Sequence, residues 1–130
     1  MELKEFKYRV KIKAEPEDVY AALTNPFTIE MWSGYPAVMS EETNSEFSMW
    51  DGDIAGHIIE CVKDTKVVQE WYFGEQPEPS IVTLKLFKQG PQTQVELVHT
   101  NIPDEAFNEI CEGWRDYYLG AIKEFLEIAD

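Results

Sequence analysis

The sequence predicts an α+β fold: a curved antiparallel sheet of six to seven strands wrapped around a long C-terminal helix, with two short helices after the first strand. Three patterns carry this. Apolar and basic residues alternate strictly from Phe6 to Lys13. Residues 37–100 break into short β-prone runs separated by turn residues. From Phe107 to Ile128 apolar residues recur at spacings of three and four. With 130 residues, 44% of them hydrophobic, the chain suits one core, and 1–130 is read as a single domain.

In the first strand, Phe6, Tyr8, Val10 and Ile12 form one face, and Lys7, Arg9, Lys11 and Lys13 the other. Pro16 suits the first turn of a helix, and Glu17 and Asp18 suit its positive end. That helix runs through Val19, Tyr20, Ala22 and Leu23 and stops at Asn25-Pro26. A second covers Phe27 to Trp32 and ends at Ser33-Gly34. Strands are then expected at Ala37–Ser40, Glu46–Trp50, Ile54–Lys63, Lys66–Phe73, Ser80–Lys88 and Thr93–Thr100. The short breaks between them imply an antiparallel meander. After Pro103, one apolar stripe (Phe107, Ile110, Cys111, Trp114, Tyr118, Ala121, Ile122, Phe125, Ile128) implies about seven helical turns lying on the sheet. Gly113 inside that helix costs about 1 kcal/mol relative to Ala, unless a close backbone approach requires it.

The net charge of −14 is unevenly spread. Residues 1–13 hold five of the eleven basic residues and two acids, a local +3, leaving −17 on the remainder. Such a surface repels a phosphate backbone and an anionic bilayer, so neither nucleic acid nor membrane is an expected partner. No apolar run is long enough to span a bilayer, and the opening Met1-Glu2-Leu3-Lys4 reads as strand entry and not as a signal peptide. Cys61 and Cys111 have no metal-ligand spacing and are read as reduced thiols of a cytoplasmic protein. The basic face of the first strand reads either as a dock for an acidic partner or a second copy, or as a solvated edge that resists aggregation.

Several segments, taken in order, resemble one known family. They are Glu46-Phe-Ser-Met-Trp-Asp-Gly-Asp-Ile-Ala-Gly56, Val67-Val-Gln-Glu-Trp71, Ser80-Ile-Val-Thr-Leu84, His99-Thr-Asn-Ile-Pro103, Gly113-Trp-Arg-Asp-Tyr-Tyr118 and Ile122-Lys123. Together they are similar to the activator of heat-shock-protein-90 ATPase homologue family, within the START-like, birch-pollen-allergen-like helix-grip superfamily. The resemblance implies a helix-grip fold and a chaperone as possible partner. It also implies that this chain resembles the C-terminal domain of a two-domain co-chaperone whose N-terminal domain makes the main chaperone contact. A helix-grip fold hosts many functions, so the site has to decide among them.

A curved sheet gripping a helix leaves a hollow, and seventeen aromatic residues exceed what a core of this size needs. The reading of function is therefore a non-catalytic domain holding a small hydrophobic or aromatic molecule between sheet and helix; the alternative is a protein-interaction module acting as a chaperone partner. Candidate contacts from the sheet are Phe47, Met49, Ile59, Trp71, Leu84, Leu86 and Leu97, with Trp114 and Tyr118 facing them from the helix. Trp32, Tyr35 and Trp50 are further candidate contacts, Trp32 and Tyr35 standing near the expected mouth.

His57 and His99 would meet at the cavity if strand alternation turned both inward; otherwise each is structural or on the surface. Glu60 and Glu70 read either as paired carboxylates or as decoration of the outer sheet face. Asp51-Gly52-Asp53 is too short for a calcium loop and reads as a hairpin turn. With no nucleophile turn, phosphate loop or metal-ligand spacing, no enzyme activity, cofactor or metal is expected. A monomer or a homodimer is equally compatible with the sequence.

Overall fold

The computed structural model describes residues 2–128, so Met1 of the expected strand entry lies outside the described residues. The strands are β1 (Leu3–Ile12), β2 (Glu46–Met49), β3 (Ile54–Val62), β4 (Lys66–Trp71), β5 (Ser80–Gln89) and β6 (Gln92–Pro103). They form one sheet in the order β1-β6-β5-β4-β3-β2, and every neighbouring pair is antiparallel. Five consecutive strands thus form the predicted meander, and β1 closes onto its last member.

Ala37–Ser40 is not a strand. Only Val38 pairs, exchanging both backbone hydrogen bonds with Ser48 at 3.0 Å. The chain then turns through Asn44 at φ 69°, a left-handed conformation that ends any ladder.

Helices α1 (Pro16–Thr24) and α2 (Pro26–Ser33) follow β1 as expected. Pro16 opens α1, and the Asn25 side chain accepts hydrogen bonds from the backbone N–H groups of Phe27 (2.9 Å) and Thr28 (3.2 Å). These are two of the donors a helix start leaves without an intrahelical partner. Replacing Asn25 with Ala is expected to cost about 1 kcal/mol, read as a lowered midpoint in urea unfolding with an unchanged slope. Gly34, at φ 83°, closes α2 in the left-handed region.

The C-terminal helix departs from an unbroken α-helix. It consists of α3 (Phe107–Glu112), a π-helical segment (Gly113–Tyr118) and α4 (Leu119–Glu127). The Leu119 N–H donates five residues back, to the Trp114 carbonyl. This inserts an extra residue per turn and rotates the buried face. As a result Leu119, outside the predicted stripe, is fully buried beside Ile122, which keeps its predicted place; Ile128, at the C-cap just past the end of α4, is 78% exposed. Gly120 accommodates the distortion, because a Cβ there would lie 2.2 Å from the Arg115 carbonyl oxygen.

The core lies between the concave sheet face and α1, α2 and the C-terminal helix. Leu84, Leu86, Val95, Leu97, Phe47 and Met49 pack there in one cluster with Trp114, Tyr118, Leu119 and Ile122. A bulge in β3 corrects one expectation. Ile58 pairs with Gln69 but Glu60 with Val68, so Ile59 is the extra residue and the alternation reverses there. Ile58 is therefore the fully buried isoleucine, and Cys61 is the next residue packed against the core. Cys61 and Cys111 are both free thiols. β1 is an edge strand. The Lys123 ammonium donates to the Lys11 carbonyl (2.8 Å), and Glu127 accepts from the Lys13 N–H (2.9 Å), covering the end of that edge. Among the described residues, no helix is long and apolar enough to cross a membrane.

Candidate functional site

The sheet–helix interface is packed through its middle and opens at one end. There a half-open cavity of about 290 Å³ lies between the β2–β3 turn, β4, and the α3 and π-helical segments. Trp50, Trp71, Trp114, Tyr117 and Tyr118 supply its aromatic walls, and Ile54 and Ile110 add aliphatic surface. Among the described residues, the only charged ones in the lining are Asp53 and Glu109, both solvent-exposed. Gly113 presents its backbone to open space, since a Cβ there would meet nothing within 4 Å. No close approach requires this glycine, so its absent side chain leaves room in the cavity.

The aromatics of the walls brace one another. Trp71 stacks on Trp114 at 5.0 Å between ring centres, Trp114 lies 4.4 Å from Tyr118, and Trp50 meets Tyr118 edge-on at 5.8 Å. Contacts of this kind contribute roughly 0.5–1.5 kcal/mol each beyond area burial. Trp50 sits at φ 50° and Asp51 at φ 54°. For a residue as bulky as Trp that is an uncommon, strained conformation, held here by the surrounding rings. Strained backbone on one wall and a π-helical turn on the other are features that cluster at functional sites.

Behind these walls lies a buried polar network. Trp114 Nε1–H donates to His99 Nδ1 (3.0 Å), and His99 Nε2 lies 2.8 Å from Ser80 Oγ, which in turn lies 3.1 Å from the Thr100 carbonyl oxygen. An indole nitrogen only donates, so Nδ1 is the acceptor and Nε2 carries the proton. Ser80 then donates to Thr100, and every member of the chain is satisfied. Burial holds the His99 pKa down to about 3, keeping the ring neutral. Trp71 is oriented by its own donation to Gln69 Oε1 at 2.9 Å. The Gln69 amide nitrogen has no partner among the described residues.

The two histidines do not meet. His57 points to the outer sheet face, opposite Glu46 and Glu70 in register, where Nδ1 lies 2.9 Å from the Tyr72 hydroxyl, itself a donor to Glu46 (2.8 Å). Of the predicted contacts, Trp50, Trp71, Trp114 and Tyr118 line the cavity. His99 supports it from behind. Trp32 is buried behind the wall, donating to the Ala22 carbonyl (2.8 Å) and packing 5.2 Å from Tyr118, whereas Tyr35 is exposed and outside the lining. Phe47, Met49, Leu84, Leu86 and Leu97 are core residues outside the lining, and Ile59 is displaced by the bulge. Asp53, Ile54, Glu109, Ile110 and Tyr117 line the cavity without having been among the predicted contacts. Gly113, unusual inside a helix, is a sequence feature that could have pointed to the helix side of this end.

Residues 13–127 match the family described as Activator of Hsp90 ATPase homolog 1-like protein. The chain belongs to that family. Among curated relatives it is 25% identical over 111 residues to activator of 90 kDa heat shock protein ATPase homolog 1 of Homo sapiens, covering 84% of this chain and 33% of the relative. It is 30% identical over 116 residues to homolog 2 of Mus musculus, covering 86% and 34% respectively. The chain therefore spans about a third of the length of these curated relatives. A crystal structure of an HSP90 activator from Plasmodium falciparum superposes with a TM-score of 0.86 at 25% identity, over 95% of this chain and 96% of that one. The solution structure of the Aha1 dimer from Colwellia psychrerythraea, 23% identical, shares the fold with a TM-score of 0.81 over 97% and 98% of the two chains. The helix-grip architecture of this family member is the one its structural neighbours share.

Proposed function

We propose that this protein is a non-catalytic interaction module that binds an Hsp90-type chaperone and stimulates its ATPase. The observation that carries this reading is the correspondence, over nearly the full extent of both chains, with the solved structure of an HSP90 activator from Plasmodium falciparum. The names of the curated relatives support it, and it assigns to this chain the activity of proteins about three times its length. On this reading residues 1–130 act as a single domain in the cytoplasm, as a monomer or a homodimer.

The test is a titration of the purified protein into the steady-state ATPase assay of its own organism's Hsp90, alongside direct binding by calorimetry. Saturable binding with an ATPase rate raised several-fold is expected. A flat rate without saturable binding would remove the proposal. Binding without stimulation would keep the interaction and reject the activation.

The aromatic cavity favours a second reading, in which the same domain holds a small molecule. Its 290 Å³ falls just below the range of roughly 300–1,000 Å³ typical of ligand sites, so the ligand would be small. Neither reading assigns a nucleophile, and His99, neutral and fully engaged, is a scaffold residue and not a general base.

A further inference from the structure

We infer that the aromatic cavity takes a small organic cation, an alkylated or aromatic ammonium. This inference rests on the small-molecule reading above and adds the charge of the ligand.

The composition of the lining decides the sign. Five aromatic rings border the space, and the only two charged side chains with them, Asp53 and Glu109, are acids standing on opposite walls, one on the β2–β3 turn and one on α3. Neither makes an ion pair among the described residues, although Lys4, Lys7, Arg9, Lys66, Lys88 and Lys123 all do. A carboxylate or phosphate ligand would meet two unneutralised acids on a chain of net charge −14. A cation would be concentrated by that field and would lie against ring faces whose quadrupoles attract it.

The backbone points to the same place. The β2–β3 turn holds Trp50 at φ 50°, and the π-helical segment presents Trp114, Tyr117 and Tyr118 together. Positive φ is the ordinary geometry of a tight hairpin turn, but a residue as bulky as Trp is uncommon there, and a continuous helix does not need a π-helical turn. Each distortion places an aromatic side chain on the cavity. The space left by Gly113 lies between them and admits an ammonium head with a short substituent.

Choline and its neutral isostere 3,3-dimethyl-1-butanol differ in charge and hardly in shape, so the pair isolates the inference. With the full chain, tryptophan emission is expected to respond saturably to choline and to benzyltrimethylammonium, and the isostere to bind at least tenfold more weakly. Combining Asp53→Asn with Glu109→Gln should weaken choline about tenfold and leave the isostere unchanged. Both substitutions are at exposed positions, so folding should be unaffected. Gly113→Leu should abolish binding of every probe while the thermal midpoint stays near that of the parent, because the new side chain enters open space. If the isostere matches choline, or the double substitution changes nothing, the cation assignment is overturned and the small-molecule reading stands. If no probe binds at millimolar concentration, both fall, and the chaperone reading is untouched.

Discussion

Replacing Gly56 with Ala is expected to destabilise the protein by about 3–5 kcal/mol, placing it among the severe single substitutions. A Cβ at this position would lie 1.8 Å from the Glu70 carbonyl oxygen, 2.9 Å from its carbon and 3.0 Å from a ring carbon of Phe47. The obstructing atom is backbone and cannot swing aside. Glu70 is in β4, which is paired on both flanks, and the adjacent Tyr72 N–H donates to the Ala55 carbonyl at 2.9 Å. Relief therefore requires parting β3 from β4 beside Trp71, the tryptophan that stacks on Trp114. Gly-to-Ala changes usually gain about 0.4–1 kcal/mol by restricting the unfolded chain, which is far too little to offset this clash. Thermal unfolding should show a midpoint lowered by roughly 10–20 °C. Gly113→Ala is the matched control: a helical glycine whose added methyl meets nothing, expected to raise stability by about 0.5–1 kcal/mol. A loss at Gly56 smaller than 1 kcal/mol would show that the close approach of β3 to β4 seen here is not required.

Acidification should remove a further large contribution through His99. The folded protein holds this imidazole at a pKa of about 3 because the site is buried, whereas an unfolded histidine titrates near 6.5. Protonation would also place a proton on Nδ1, which already accepts from Trp114. Below pH 6.5 the unfolded chain therefore binds more protons than the folded one. The stabilisation is fully present above pH 6.5 and is lost as the pH falls from there toward 3. By linkage the loss is about 2–3 kcal/mol at pH 4.5 and about 4–5 kcal/mol at the lower limit. Urea unfolding at pH 7 and pH 4.5 measures it, and His99→Gln isolates it. The amide can accept from Trp114 and donate to Ser80 but does not titrate, so this variant should start less stable and lose less on acidification. Nitrogen chemical shifts of the His99 ring should keep the neutral, Nε2-protonated pattern at pH 5. A ring that titrates near 6.5, or equal losses in the two proteins, would contradict the assignment.

These expectations show how differently parts of the molecule are written in the chain. The strict alternation from Phe6 to Ile12, the Pro16 and Asn25-Pro26 signals and the three-and-four spacing after Phe107 follow from local stereochemistry and one-sided burial. They were legible in the chain itself. The family, too, was legible, because six short segments recur in order. Ala37–Ser40 looked like a strand but found no continuous partner beyond Val38, since a strand exists only where another strand accepts its hydrogen bonds.

The site was legible only in part. Trp71, Trp114 and Tyr118 could be placed on the inner face from periodicity, and they line the cavity. The bulge that trades Ile59 for Ile58, the π-helical turn that buries Leu119, and the orientations that send His57 outward and His99 into a neutral network are absent from any local pattern. Each depends on contacts between different elements: β3 against β4, Ser80 against His99, Trp50 against Tyr118. The sequence by itself determined the elements, their order and the family, because those follow from each segment's own side-chain spacing. Only the tertiary structure decided that the interior is filled and open at one end, because register, helix rotation and ring stacking are settled by packing among all the elements at once.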